Sequence, residues 1–122
     1  MIGIGVDLVD VDRMRASLAR TPTLAERLFT PGERAYATEA RDPAERFAAR
    51  FAAKEAVLKA LGVGLGAADW HDIEVVRAIS GAPSVVLTGR AAALAEDAGV
   101  RQWKLTMTHT ATMAEAIAVA LG

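Results

Sequence analysis

The segment DPAERFAARFAAKEAVLKALG, residues 42–62, specifies one long helix from cap to cap. Asp42 is placed to accept amide hydrogens of the first turn, and Pro43 suits the first helical position. Glu45 is placed to complete a capping box, and Gly62 to end the helix in a left-handed conformation. At about 100° per residue, Phe47, Phe51, Leu58 and Leu61 fall on one side with Val57 at its edge, so that side is expected to face a core. Two charges intrude: Lys54 lies near the middle of the stripe, and Glu55 lies on its flank with Lys59 one turn further on. Charge at a core boundary is costly unless something pairs with it. Either Glu55 and Lys59 form a surface pair while Lys54 extends its stem to water, or these groups pair elsewhere in the protein or hold a ligand.

Working outward, 122 residues correspond to a single domain, 1–122, that buries about two-thirds of its unfolded surface. The hydrophobic fraction is 52%, but only 5% of residues are aromatic and many of the rest are alanine, so each buried position contributes little apolar area. A thin core favours self-association. A net charge of −1 argues against nucleic acid as the main partner. The absence of cysteine excludes disulfides, thiolate metal sites and a cysteine nucleophile. No basic segment leads into an apolar run and no uninterrupted stretch of about 18 apolar residues occurs, so a cytoplasmic protein away from the membrane is expected. Local charge is less even: Arg13, Arg15, Arg20, Arg27, Arg34, Arg41, Arg46 and Arg50 crowd one region, which suits an acidic partner or a phosphorylated ligand.

Before the long helix, MIGIGVDLVDV alternates Ile2, Ile4, Val6 and Leu8 with Gly3, Gly5, Asp7 and Val9, the period of a strand. Asp7 projects from the glycine side, where a backbone or a ligand can approach closely; open space is expected beside it. DVDRMRASLAR reads as a short helix with Arg13, Ser17 and Arg20 on one side. TLAERLF adds a turn or two, and Thr30, Pro31 and Glu33 open a further helix.

After the long helix, the glycines of GVGLGAADW mark a turned loop without a phosphate-loop signature. HDIEVVRAI and SVVLTG form a hairpin, Thr88 caps another helix, and QWKLTMTHT and EAIAVAL are two more strands. His109, beside Thr108 and Thr110 at a strand end, is open to a structural or a binding role. Five strands and about four helices that do not alternate regularly define an α+β fold.

GIGVD at 3–7, RFAAKEAVLKALG at 50–62 and THT at 108–110 together resemble the holo-acyl-carrier-protein synthases, the small single-domain group of phosphopantetheinyl transferases. The resemblance implies a mostly antiparallel sheet packed on a long central helix. It also implies transfer of the 4'-phosphopantetheine arm of coenzyme A to a serine of apo acyl carrier protein, in support of fatty acid biosynthesis, with magnesium as cofactor. By similarity the metal-binding acids are Asp7 and Glu55, Lys59 contacts phosphate, and Arg50, Gly62, Pro83 and His109 lie near the coenzyme. Glu55 and solvent at the metal are the two candidates for the base. Arg13 and Arg20 match the positions that receive the acidic helix of the carrier protein, and a homotrimer with active sites at subunit boundaries is implied. The chain departs from the family pattern at Ala82, Ser84 and around Thr23 and Leu24.

Overall fold

The computed structural model describes residues 1–122. In chain order the elements are β1 (Gly3–Asp10), α1 (Val11–Arg20), α2 (Leu24–Leu28), α3 (Pro31–Thr38), α4 (Pro43–Ala60), a 3-10 turn (Trp70–Asp72), β2 (Ile73–Arg77), β3 (Pro83–Leu87), α5 (Gly89–Asp97), β4 (Gln102–His109) and β5 (Met113–Leu121). The α+β class and the five strands match the reading of the sequence; the helices number five where about four were expected. All pairing is antiparallel, in a three-stranded sheet of order β1-β5-β4 and a hairpin of β2 and β3.

The register explains where α4 sits. Rows across the larger sheet read Gly3, Ala120, Trp103; then Gly5, Ala118, Leu105; then Asp7, Ala116, Met107; then Val9, Ala114, His109. In the first two rows side chains on this face therefore grow from glycine through alanine to large residues. A helix laid on such a slope approaches β1 most closely. A Cβ built on Gly3 would lie 1.9 Å from the carbonyl oxygen of Ala60, and one on Gly5 would lie 2.0 Å from that of Ala56. The space beside the β1 glycines is thus filled by helix backbone, the close approach expected of glycine, while Asp7 beyond them borders open space.

Because the sheet covers one flank of α4 and α1, α3 and β2 cover others, this helix is buried nearly all round. The one-sided apolar stripe read from the sequence was too narrow, since Ala48, Ala49, Ala52, Ala53, Ala56 and Ala60 are also buried. Phe47 does reach a core, its ring centroid 4.6 Å from that of Phe29. Two caps differ from expectation. The Asp42 side chain accepts from the amide of Ala44, but Glu45 turns away to the ring of His109, Oε2 to Nδ1 3.3 Å. Thr88 makes no capping bond; Asp72 accepts from the amide of Arg90 at 3.0 Å instead. Gly62, at φ +72°, ends α4 as expected.

Lys54 does not reach for water. It is 0% exposed, and its ammonium meets Glu33 at 2.8 Å and donates to the carbonyls of Trp70 at 2.9 Å and Ile73 at 2.5 Å.

Candidate active site

The close approach of α4 to β1 brings together side chains 48 residues apart in sequence. Asp7 lies two residues beyond Gly5 on the same face of β1, and Glu55 immediately precedes Ala56 on α4. Both carboxyls line a cleft of about 400 Å³ whose other walls include Arg13, Ser17, Leu24, Leu28 and Phe51. Lys59, one turn beyond Glu55, donates to the Asp7 carboxylate at 2.9 Å and to the carbonyl of Val6 at 3.0 Å. A surface pair between Glu55 and Lys59 is therefore not the arrangement adopted.

Electrostatics follow from this placement. Partial burial pushes the Glu55 carboxyl above its ordinary range, and the charge and hydrogen bond of Asp7 push it further, against the pull of Lys59. The Lys59 ammonium is raised by its bond to Asp7. Two carboxyls opening on one cleft offer oxygen donors of the kind Mg²⁺ takes in ones and twos while keeping several waters. The residues present fit such an ion.

A second cavity, of about 340 Å³, opens on the β4 side of α4 and is lined by Arg50, Pro83 and His109 together with Tyr36, Arg46 and Arg77. Arg50 and Glu55 are five residues apart, about 140° around the helix, so α4 presents them to different sides. Asp7 on β1 and His109 on β4 are separated by two strand spacings, about 10 Å, and by one same-face row along the strands, about 7 Å. The guanidiniums of Arg46, Arg50 and Arg77 stand 4.0, 4.2 and 4.9 Å from the centre of the Tyr36 ring. Arg77 also donates to the Tyr36 hydroxyl, and Arg46 to the Tyr36 carbonyl at 2.7 Å. Burial pulls the Arg50 guanidinium below its usual range, and its buried Nε has no partner. Three cations held this close are a ready receptor for an anion.

Neither Gly62 nor Arg20 lines either cavity. Ala82 and Ser84 flank Pro83 along a third hollow, of about 440 Å³, bordered by β4 and β5. Tyr36 and Arg77 were not singled out in the sequence, and Arg46 appeared there only within a run of arginines. Tyr36 carries no local motif, and Arg77 reads as an ordinary strand end.

Crowded acids on one flank of α4 and crowded guanidiniums on the other are complementary to a phosphorylated substrate with its counter-cation, which is the class of a small α+β enzyme of phosphate-linked group transfer. The chain belongs to the 4'-phosphopantetheinyl transferase superfamily, whose model matches residues 3–120. A holo-[acyl-carrier-protein] synthase of Frankia alni is 51% identical over 120 residues, covering 98% of this chain and 97% of that protein. One from Streptomyces avermitilis is 47% identical over 122 residues, covering 100% and 98%. Among solved structures, the holo-[acyl-carrier-protein] synthase of Neisseria meningitidis superposes with a TM-score of 0.90 at 30% identity, covering 100% of this chain and 99% of that one. The Helicobacter pylori synthase in complex with coenzyme A gives 0.85 at 28% identity, covering 97% and 99%.

Proposed function

We propose that this protein is a holo-acyl-carrier-protein synthase. It transfers the 4'-phosphopantetheine arm of coenzyme A to a serine of apo acyl carrier protein and leaves adenosine 3',5'-bisphosphate. The observation that carries this reading is the convergence of Asp7 and Glu55 on one cleft, with Lys59 bonded to Asp7. The activity accords with the family and with relatives named for it. The reaction is assigned to the cytoplasm, in support of fatty acid biosynthesis.

Each residue has a part that follows from its chemistry. Asp7 and Glu55 would hold Mg²⁺, which when bound supplies positive charge against the diphosphate oxygens. Glu55, whose carboxyl binds a proton more readily than an ordinary glutamate, takes the proton of the attacking serine hydroxyl through water. Lys59 places an ammonium beside the departing phosphate. Arg13, in the wall of the same cleft, meets the acidic face of the carrier protein, and Arg20 extends that basic ridge further along α1. The nucleotide end of coenzyme A carries a further phosphate remote from the reacting bond. The Arg46, Arg50 and Arg77 pocket with Pro83 and His109 receives it, and Gly62 turns the chain close to the coenzyme.

A homotrimer with active sites at its subunit boundaries fits two features. The acid pair and the arginine pocket lie on opposite flanks of α4, so that one protomer's acids can serve a coenzyme seated on its neighbour's arginines. The outer face of β1 also leaves Ile4 58% and Leu8 58% exposed. Fully burying such a side chain is worth about 1.5–3 kcal/mol, so covering the part still exposed contributes somewhat more than half of that each.

Incubation with coenzyme A, Mg²⁺ and an apo carrier protein is expected to add the mass of phosphopantetheine to the carrier. No mass gain across a panel of apo carriers would overturn the reading.

A further inference from the structure

The buried Glu33–Lys54 pair touches neither cavity, yet it joins the three elements that carry Tyr36 and the arginines of the pocket. Glu33, 1% exposed, accepts from the amides of Thr30 at 2.9 Å and Val75 at 2.8 Å and from Lys54 at 2.8 Å. Lys54 spends its other two protons on the carbonyls of Trp70 and Ile73. The carboxylate belongs to α3, the ammonium to α4, and the amide of Val75 to β2.

Each of these anchors stands one repeat from a residue that forms the pocket. Tyr36 is three residues after Glu33 on α3, Arg50 is four residues before Lys54 on α4, and Arg77 is two residues after Val75 on β2. These are the spacings that put side chains on one helix or strand face. Mutual repulsion of Arg46, Arg50 and Arg77 pushes the elements that carry them apart. Tyr36 links all three at the half-exposed rim, through its ring, its hydroxyl and its carbonyl; the Glu33–Lys54 pair joins the same elements in the buried interior.

A buried ion pair is a poor source of net stability, because apolar residues of similar volume often serve as well or better. What it does supply is fixed geometry. We infer that Glu33 and Lys54 are positioning residues that hold α3, α4 and β2 at the spacing in which three guanidiniums surround Tyr36 and accept a phosphate. This inference rests on the assignment of that pocket to the nucleotide end of coenzyme A.

The test compares coenzyme A with dephospho-coenzyme A, which lacks one phosphate, on wild type, Lys54→Met, the double variant Glu33→Gln/Lys54→Met, and Glu33→Asp. Glu33→Asp keeps both charges and shortens the pair by one methylene. Tyr36 is the only tyrosine of the chain, so protein labelled with 3-fluorotyrosine gives one ¹⁹F signal that reports the pocket directly. In wild type, coenzyme A is expected to have a KM at least tenfold below that of dephospho-coenzyme A. In the variants that ratio is expected to fall to threefold or less with kcat changed less than threefold, and the ¹⁹F signal is expected to shift before any ligand is added. A folded variant, Glu33→Asp included, that keeps both the ratio and the wild-type ¹⁹F position overturns the positioning role. Wild type that does not distinguish the two coenzymes overturns the assignment of the pocket, and the ¹⁹F comparison then decides the positioning role alone.

Discussion

Gly5 and Ala56 pack so tightly that a single added methyl carbon on the glycine would sit 2.0 Å from the alanine carbonyl oxygen. This contact brings a strand carrying Asp7 against a helix carrying Glu55, and the acid pair depends on it. The obstacle is helix backbone, which cannot rotate away. Gly5→Ala is expected to cost at least about 3 kcal/mol, the upper end for overpacking, measured by urea denaturation. Activity should be lost even below the midpoint, because α4 must move. A variant as stable as wild type would show that the helix does not lie this close.

Glu55→Gln separates the acid's chemistry from its packing. Burial and Asp7 both oppose the charge of Glu55, so a neutral amide of the same shape should melt no lower than wild type. Its kcat is expected to fall by about 10²-fold or more, the scale of a lost general base. An active Gln variant would dismiss Glu55 as base and as metal ligand.

Arg13 and Arg20 share a ridge of α1, but only Arg13 lines the cleft with the acids. Arg13→Ala is therefore expected to raise KM for the carrier protein about tenfold and to flatten its dependence on salt. Arg20→Ala should have a smaller effect, and neither should change KM for coenzyme A more than twofold. Equal effects of the two substitutions on carrier KM would remove the cleft-side bias.

Asp42 caps α4 and meets Arg15 at 2.5 Å. The bond from Arg15 holds the Asp42 carboxyl below its ordinary range. The folded-state value is depressed, so the stabilisation is complete above the ordinary aspartate pKa of about 3.9 and is lost as pH falls through the depressed value. Asp42→Asn retains a good cap but has no charge to titrate. Thermal melts from pH 5 to pH 2 should show wild type losing its advantage over the variant in that window. Parallel curves would exclude the pair as a source of acid sensitivity.

The sequence by itself determined the elements and the roster of candidate acids. Alternation in β1, the proline and cap that open α4 and the left-handed Gly62 that closes it are local effects of backbone sterics and hydrogen bonding. They can be read without knowing what lies nearby. The resemblance to a known family could name Asp7, Glu55, Lys59 and His109 for the same reason, since a motif is a local string. Only the tertiary structure decided which flanks of α4 are covered, because burial there comes from the sheet's gradient of glycine, alanine and larger side chains across three strands. It also decided that Lys54 pairs with Glu33 while Lys59 reaches Asp7, a choice between two lysines five residues apart that depends on which side each partner approaches. Tyr36 and Arg77 joined the arginine pocket for the same reason. Charge and π interactions act over a few ångströms of space, and α3, α4 and β2 come within that range only after the chain has folded.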